Sequence, residues 1–117
     1  MSFVVNLIDC SKKMKFNIPK NIRVGGQDIE VNVVESIPGQ DCGDCDAVKG
    51  EIRIAKYVDD RKQSESSMFN TFVHECVHMV LSTMGEYDLS NNEKFVSCMA
   101  GFVSEIIRSI EGGNSES

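Results

Sequence analysis

The stretch TFVHECVHMV, residues 71–80, holds both histidines of the chain, His74 and His78, with Glu75 between them. Residues four apart on a helix lie about 6 Å apart along its axis and roughly 40° apart around it, so the two imidazoles can hold one ion. Glu75 lies on the neighbouring flank, where its carboxylate can reach a metal-bound water. The H-E-x-x-H spacing is therefore typical of a zinc site with a general base. The alternative is a coincidental histidine pair on the surface of an amphipathic helix.

A catalytic zinc needs a third protein ligand, and because the chain has only two histidines, this ligand must be a carboxylate or a cysteine. Glu93 is the best candidate, because it begins a second predicted helix 15 residues after His78, past a turn long enough to fold that helix back over the first. The alternative role of Glu93 is a favourable contact with the helix dipole. Cys76 is expected to face the core instead of the metal. The weaker candidates for the third ligand are Glu86, Asp88, Glu105 and Cys98.

The strands that precede this helix are predicted from alternating apolar and polar residues. The segments IRV and DIEVNVV alternate on either side of Gly25 and Gly26, which predicts a hairpin with a two-residue turn. The segment EIRIAK alternates again, with Ile52 and Ile54 facing inward, and predicts a third strand. The intervening ESIPGQDCGDCDAVKG is rich in Gly, Asp and Pro and is predicted to be a loop. Residues 2–9 either add a fourth strand or belong to an N-terminal extension.

Two helices follow the strands. From about Ser66 the apolar period changes to 3.6 residues, which predicts a helix that ends at Gly85. The stripe expected to face the core is Phe69, Phe72, Val73, Cys76, Val77, Val80 and Met84. The histidines then lie on the opposite side, where the next helix is expected to cover them. Ser90 or Asn91 is expected to cap that second helix. Its expected apolar face is Phe95, Met99, Phe102, Val103, Ile106 and Ile107.

This order of elements predicts an α+β fold, in which a small antiparallel sheet of three to four strands packs on the histidine-bearing helix and a second, C-terminal helix. At 117 residues the chain fits one domain, 1–117. Residues 1–13 are a candidate N-terminal extension within it, and residues 112–117 are expected to be a frayed tail.

Composition narrows the classes of partner. The formal charge of -6 argues against nucleic acid. No apolar run approaches the roughly 20 residues that cross a bilayer, so no membrane partner is expected. The N-terminal MSFVVNLIDC has no basic segment before its short apolar run, which argues against a signal peptide. Five cysteines, an odd number, then favour reduced thiols and a cytoplasmic protein.

The run TFVHECVHMVLSTMG, preceded by GEIRIAK and followed by NNEKFVSCMAGFVSEI, resembles the small zincin-like metallopeptidases of phages and bacteria, relatives of the SprT-like and ImmA/IrrE-like groups. The resemblance covers roughly residues 18–108. It implies that a strand precedes the active-site helix and that the next helix brings a glutamate to the metal, as in gluzincins. By this likeness His74, His78 and Glu93 are zinc ligands and Glu75 is the catalytic base.

The predicted function is zinc-dependent hydrolysis of a peptide bond, with Glu75 taking a proton from the metal-activated water and delivering it to the leaving amine. The substrate is a protein or peptide, expected to lie antiparallel to GEIRIAK as an exposed edge strand. Tyr57 or Tyr87 is a candidate donor to the developing oxyanion, with ordinary packing as the alternative role. The alternative function is a non-catalytic zincin-fold protein that binds metal and acts as a protein-interaction or regulatory module.

Cys42 and Cys45 have C-x-x-C spacing in the predicted loop. A zinc ribbon needs a second such pair, which the chain lacks. The flanking Asp41, Asp44 and Asp46 raise thiol pKa values instead of lowering them, which argues against a redox site. An ordinary loop is therefore expected here, and the alternatives are an extra metal or disulfide clasp and a functional thiol.

Overall fold

The computed structural model describes residues 17–113, with side chains up to residue 110. The described strands are β1 (Asn21–Val24), β2 (Gln27–Val34), β3 (Gly43–Asp46), β4 (Glu51–Ala55), β5 (Tyr57–Val58) and β6 (Arg61–Lys62). The described helices are α1 (Glu65–Met84), α2 (Tyr87–Ser90) and α3 (Glu93–Gly113). The predicted α+β class is confirmed. The predictions for residues 2–9 and 1–13 lie outside the described residues.

The hairpin of β1 and β2 forms as predicted. Val24 pairs with Gln27 across the two-residue turn. Gly25 and Gly26 have φ values of 59° and 83°, the left-handed conformation that a type I′ turn needs at both central positions. This turn matches the right-handed twist of the strands, so the local sequence alone determines the pairing register.

The four-stranded sheet is mixed, so the prediction of a purely antiparallel sheet is wrong. Its strand order is β1-β2-β4-β3, and the smaller β5-β6 hairpin is a separate ribbon. Strand β4 runs parallel to β2, with Val33 beside Ile54, and antiparallel to β3. After Val34 the chain passes through a loop into β3, two strand positions away from β2, and β4 then returns to lie between them. The predicted loop thus contains a strand of its own.

Strand β4 is therefore central, and the prediction that GEIRIAK is an exposed edge strand is wrong. Ile52, Ile54 and Ala55 have no exposed surface, as expected for a strand that is paired on both sides. The edge strand beside α1 is β3. Arg53 on β4 donates to Asp44 on β3 through Nε at 3.0 Å, which adds a charged cross-strand pair to the backbone pairing.

Helix α1 begins and ends where the sequence predicts. The Ser64 hydroxyl accepts from the backbone N–H of Ser67 at 3.0 Å, and Gly85 ends the helix with φ +80°. Most of the expected stripe is buried as predicted, but the buried surface is wider, because the sheet covers one face of α1 and α3 covers another. Val80 and Met84 are 42% and 64% exposed. The buried residues of α1 are Phe69, Phe72, Val73, Glu75, Val77, Met79 and Leu81.

Helix α3 begins at Glu93, as predicted, but its cap and part of its buried face differ from the prediction. The short helix α2 occupies Tyr87–Ser90, so Asn92 caps α3, and its Oδ1 accepts from the backbone N–H of Phe95 at 3.1 Å. The cap is therefore neither Ser90 nor Asn91. Val96 and Ala100 are buried on α3. Of the six residues predicted to form its apolar face, Phe95, Val103 and Ile107 pack against the core, and Met99, Phe102 and Ile106 are exposed. The helix continues to Gly113, so the first two residues of the expected frayed tail 112–117 are helical.

Helices α1 and α3 are held together near the end of α3. Arg108 Nη2 donates to Ser66 Oγ and to Asn70 Oδ1, both at 2.8 Å. Since these partners lie in the first two turns of α1, the helices run antiparallel, and the beginning of α3 lies over the histidine turn of α1. None of the described helices is long and apolar enough to span a membrane.

Candidate metal centre

The three predicted metal ligands converge at the start of α3. His74 Nε2 lies 3.1 Å from Glu93 Oε1, and His78 Nε2 lies 3.2 Å from Glu93 Oε2. One donor atom from each residue lies within 4.8 Å of the other two. The turn between the helices therefore folds Glu93 back over the histidine pair, as the sequence predicts. The weaker candidates in the described chain, Glu86, Asp88, Glu105 and Cys98, do not belong to this cluster.

The spacing of the donor atoms fits a small tetrahedral ion. Zinc bonds to nitrogen and oxygen at about 2.0–2.1 Å, which places neighbouring ligands of a tetrahedron roughly 3.3 Å apart. His74 Nε2 and His78 Nε2 lie close to this separation from Oε1 and Oε2 of the Glu93 carboxylate, respectively. The His74 and His78 side chains are 26% and 15% exposed and that of Glu93 is 67% exposed, so the donors can be reached from solvent. Three protein donors leave a fourth position for water or substrate.

Ser90 orients one of the histidines, a role that was not predicted. Its hydroxyl oxygen lies 3.0 Å from His78 Nδ1, and the residue is 9% exposed. When Nδ1–H donates to this hydroxyl, the Nε2 lone pair faces Glu93 and an ion between them. The sequence suggested Ser90 only as a helix cap, because a four-residue helix such as α2 has no periodicity that would place Ser90 beside α1.

Glu75 lies beside the cluster without joining it. The residue is 7% exposed, and burial raises the pKa of its carboxyl to about 7. The carboxylates of Asp44, Glu93 and Asp41 raise this pKa further, whereas a hydrogen bond from the Cys45 thiol opposes the rise. A carboxyl group with this pKa exchanges protons readily near neutral pH, which suits a general base.

Cys45 contributes a neutral hydrogen-bond donor. Burial, followed by the Glu75 carboxylate, raises the pKa of the Cys45 thiol to about 12, so the thiol stays protonated and donates to Glu75. The expectation of an ordinary loop is wrong here, because Cys45 lies on strand β3. Cys42 and Cys45 are both free, so they form no disulfide clasp. Cys76 faces the core as predicted, and burial raises its pKa to about 12.

A cleft of about 760 Å³ runs between β3 and α1 past the candidate ligands. Gly43 allows β3 to approach α1, because a Cβ at this position would lie 2.6 Å from Thr71 Cγ2 and 2.9 Å from the Arg53 carbonyl oxygen. Neither Tyr57 nor Tyr87 lines the cleft. The residues that line it are Asp41, Cys42, Gly43, Asp44, Cys45, Ser67, Asn70, Thr71, His74, Glu75, His78, Ser82, Ser90 and Glu93.

No family model, curated protein or solved structure matches this chain. The chemistry of the cleft is therefore inferred from its own side chains. Two imidazoles and one carboxylate form a donor set that suits zinc, and a buried carboxyl lies next to them on the same helix. This combination can hold a cation and exchange a proton beside it.

Proposed function

We propose that this protein is a zinc-dependent peptidase of a minimal zincin-like type, acting in the cytoplasm. His74, His78 and Glu93 hold the ion, and Glu75 is the general base. The observation that carries the proposal is the convergence of three donors within 4.8 Å, beside a buried carboxyl and inside an open cleft. The free thiols of the described cysteines agree with a reducing compartment.

Zinc, when bound, supplies a Lewis acid and lowers the pKa of a water in its open position. The side chains around it transfer the proton and hold the ligands and the base in position. Glu75 accepts a proton from the attacking water and passes it to the leaving amine. Ser90 fixes the ring of His78, and the Cys45 thiol holds the Glu75 carboxylate through a hydrogen bond.

We propose that an extended peptide binds along β3. An edge strand has one row of backbone donors and acceptors that no neighbouring strand pairs, and a peptide can bind there by strand addition. Strand β3 lines the same cleft as Glu75 and the candidate ligands. This arrangement replaces the earlier expectation that a substrate pairs with β4, because β4 is paired on both sides.

The test compares wild type with Glu75→Gln, which keeps the shape of the side chain and removes its base. Both zinc-loaded proteins are incubated with a peptide library made from a bacterial proteome, and new N-termini are identified by mass spectrometry. Wild type should cleave a defined set of peptides, and chelator should stop the cleavage. Glu75→Gln should retain one zinc per chain and lose at least about 100-fold in rate.

Glu105→Gln is the matched control, because it makes the same chemical change at an exposed position on α3. It should cleave the same peptides as wild type at a similar rate. If zinc-loaded wild type cleaves no peptide that Glu75→Gln leaves intact, the peptidase proposal fails.

One observation favours a second function, a non-catalytic zincin-fold module that binds metal and recognises a protein partner. Neither Tyr57 nor Tyr87 lines the cleft, so neither of these tyrosines can donate to a developing oxyanion. This function expects one zinc per chain and no cleavage in the peptide screen, whereas the peptidase function expects both zinc and cleavage.

A further inference from the structure

Helix α3 presents a continuous apolar stripe to solvent, on a different side from the residues that pack on α1. The exposed fractions are 40% for Met99, 63% for Phe102, 58% for Ile106 and 60% for Ile110. Their spacing of three and then four residues aligns them along one side of the helix, over a length of about 16 Å. Below, these four residues are called the α3 stripe.

The stripe has the size of a functional surface patch. Four side chains of these types, each about half exposed, present roughly 400 Å² of apolar surface, within the roughly 300–600 Å² of the largest apolar patch on a typical monomer, which is often functional. Two such stripes placed face to face would bury roughly 800 Å² of apolar area. This area lies below the roughly 1,200–2,000 Å² of stable specific interfaces, so the dimer is expected to be weak.

The shape and charge of α3 fit a second copy of the same helix. Apolar side chains in three-four spacing can interdigitate with an identical row across a two-fold axis. Helix α3 has three acidic residues, Glu93, Glu105 and Glu111, and two basic residues, Lys94 and Arg108, so its net charge is -1. The whole chain has a formal charge of -6, so electrostatic repulsion between copies is weaker at this helix than elsewhere on the surface.

We propose that the α3 stripe is a homodimer interface, in which α3 packs antiparallel against α3 of a second copy. Phe102 lies near the middle of the stripe and therefore close to the two-fold axis. Phe102 and Glu93 are nine residues apart, which places them roughly 180° apart around the helix. The dimer therefore leaves the metal-binding cleft of each copy open, and the proposal does not depend on the peptidase function.

Sedimentation velocity of the full chain at about 1–200 µM tests the interface. Wild type should convert from monomer to dimer within this range. Phe102→Glu places a charge near the axis twice in each dimer and should raise the dimer Kd at least about 100-fold. Val48→Glu is the matched control, because Val48 is 94% exposed in the turn between β3 and β4 and the charge change is the same. Its dimer Kd should stay within about twofold of wild type.

Ile106→Lys is a second stripe variant, with the opposite change in charge, and it should also weaken the dimer. Circular dichroism of each variant verifies that it is folded, which we expect because both side chains are more than half exposed. If wild type is still monomeric at about 200 µM, the proposal is wrong, and the α3 stripe would bind a different partner. A dimer that survives both stripe variants would overturn it as well, since another surface would then hold the copies together.

Discussion

Replacing Glu93 by glutamine separates its contribution to the fold from its contribution to zinc binding. In the metal-free protein the Glu93 side chain is 67% exposed, and its partners are His74 and His78 at 3.1 and 3.2 Å. Ion pairs at this exposure contribute about 0–1 kcal/mol. Glu93→Gln should therefore lower the Tm of the zinc-free protein by only a few degrees, because about 1 kcal/mol corresponds to roughly 4–8 °C in a domain of this size.

Zinc should reveal a much larger difference. At a free zinc concentration 100 times the wild-type Kd, binding adds about 2.7 kcal/mol, or roughly 11–22 °C in Tm. Loss of a group that only orients a ligand reduces metal affinity about 10–100-fold, so loss of Glu93 as a ligand should reduce it at least about 100-fold. The same zinc concentration then equals the Kd of the variant or lies below it. The stabilisation falls to about 0.4 kcal/mol or less, a Tm shift of roughly 3 °C at most.

The assay is differential scanning calorimetry of chelator-stripped protein in buffered zinc, with wild type, Glu93→Gln and Glu105→Gln side by side. Glu105→Gln removes a carboxylate from the same helix outside the cluster and should keep the full zinc shift. An equal zinc shift in wild type and Glu93→Gln would refute the assignment of Glu93 as a ligand. If Glu93→Gln and Glu105→Gln lose the zinc-induced Tm shift equally, the assignment of the ligands from the distances between donor atoms is refuted.

Three further substitutions test the surroundings of the site. Ser90→Ala should weaken zinc binding about 10–100-fold in a competition titration with a chromophoric chelator, because it frees the ring of His78, and unchanged affinity would contradict that role. Gly43→Ala should lower the free energy of unfolding in urea by about 1–3 kcal/mol, because the added methyl meets Thr71, and an unchanged urea midpoint would show that β3 does not lie this close to α1. Gly101→Ala should raise this free energy by about 0.5–1 kcal/mol, because its Cβ enters open space in a helix, and a decrease would contradict the exposed setting.

Local sequence predicted the elements whose signals are strong and short-ranged. The two glycines at 25 and 26 determine a turn that needs φ > 0 twice, and a long run of 3.6-residue periodicity determines α1. The convergence of Glu93 with the histidines also followed from the sequence, because a short connection between two helices brings the start of the second beside the end of the first.

Strand β3 could not be predicted, because Gly43–Asp46 reads G-D-C-D, and four residues with one apolar side chain are too few to show an alternation. Its residues are only partly buried, since the strand lines an open cleft. Without β3, neither the parallel pairing of β4 nor the contact of Cys45 with Glu75 could be foreseen, since both depend on which strand forms the edge of the sheet.

The orientation of α3 was predicted only in part, for a different reason. The helix is apolar over a wide sector, so its periodicity does not decide which part faces α1. In the structure the small residues Val96 and Ala100 are buried, and Glu93, close to them around the helix, reaches the histidines. Because the side of α3 that carries Val96 and Ala100 faces α1, the larger Met99 and Phe102 remain exposed.

Zinc K-edge X-ray absorption of the purified protein, loaded with one equivalent of zinc, tests the central claim most directly. A centre formed by His74, His78 and Glu93 predicts a first shell of nitrogen and oxygen only, at about 2.0–2.1 Å, with the outer-shell scattering of two imidazoles. A sulfur shell at about 2.3 Å would instead place the ion on cysteines such as Cys42 and Cys45, and it would contradict the account.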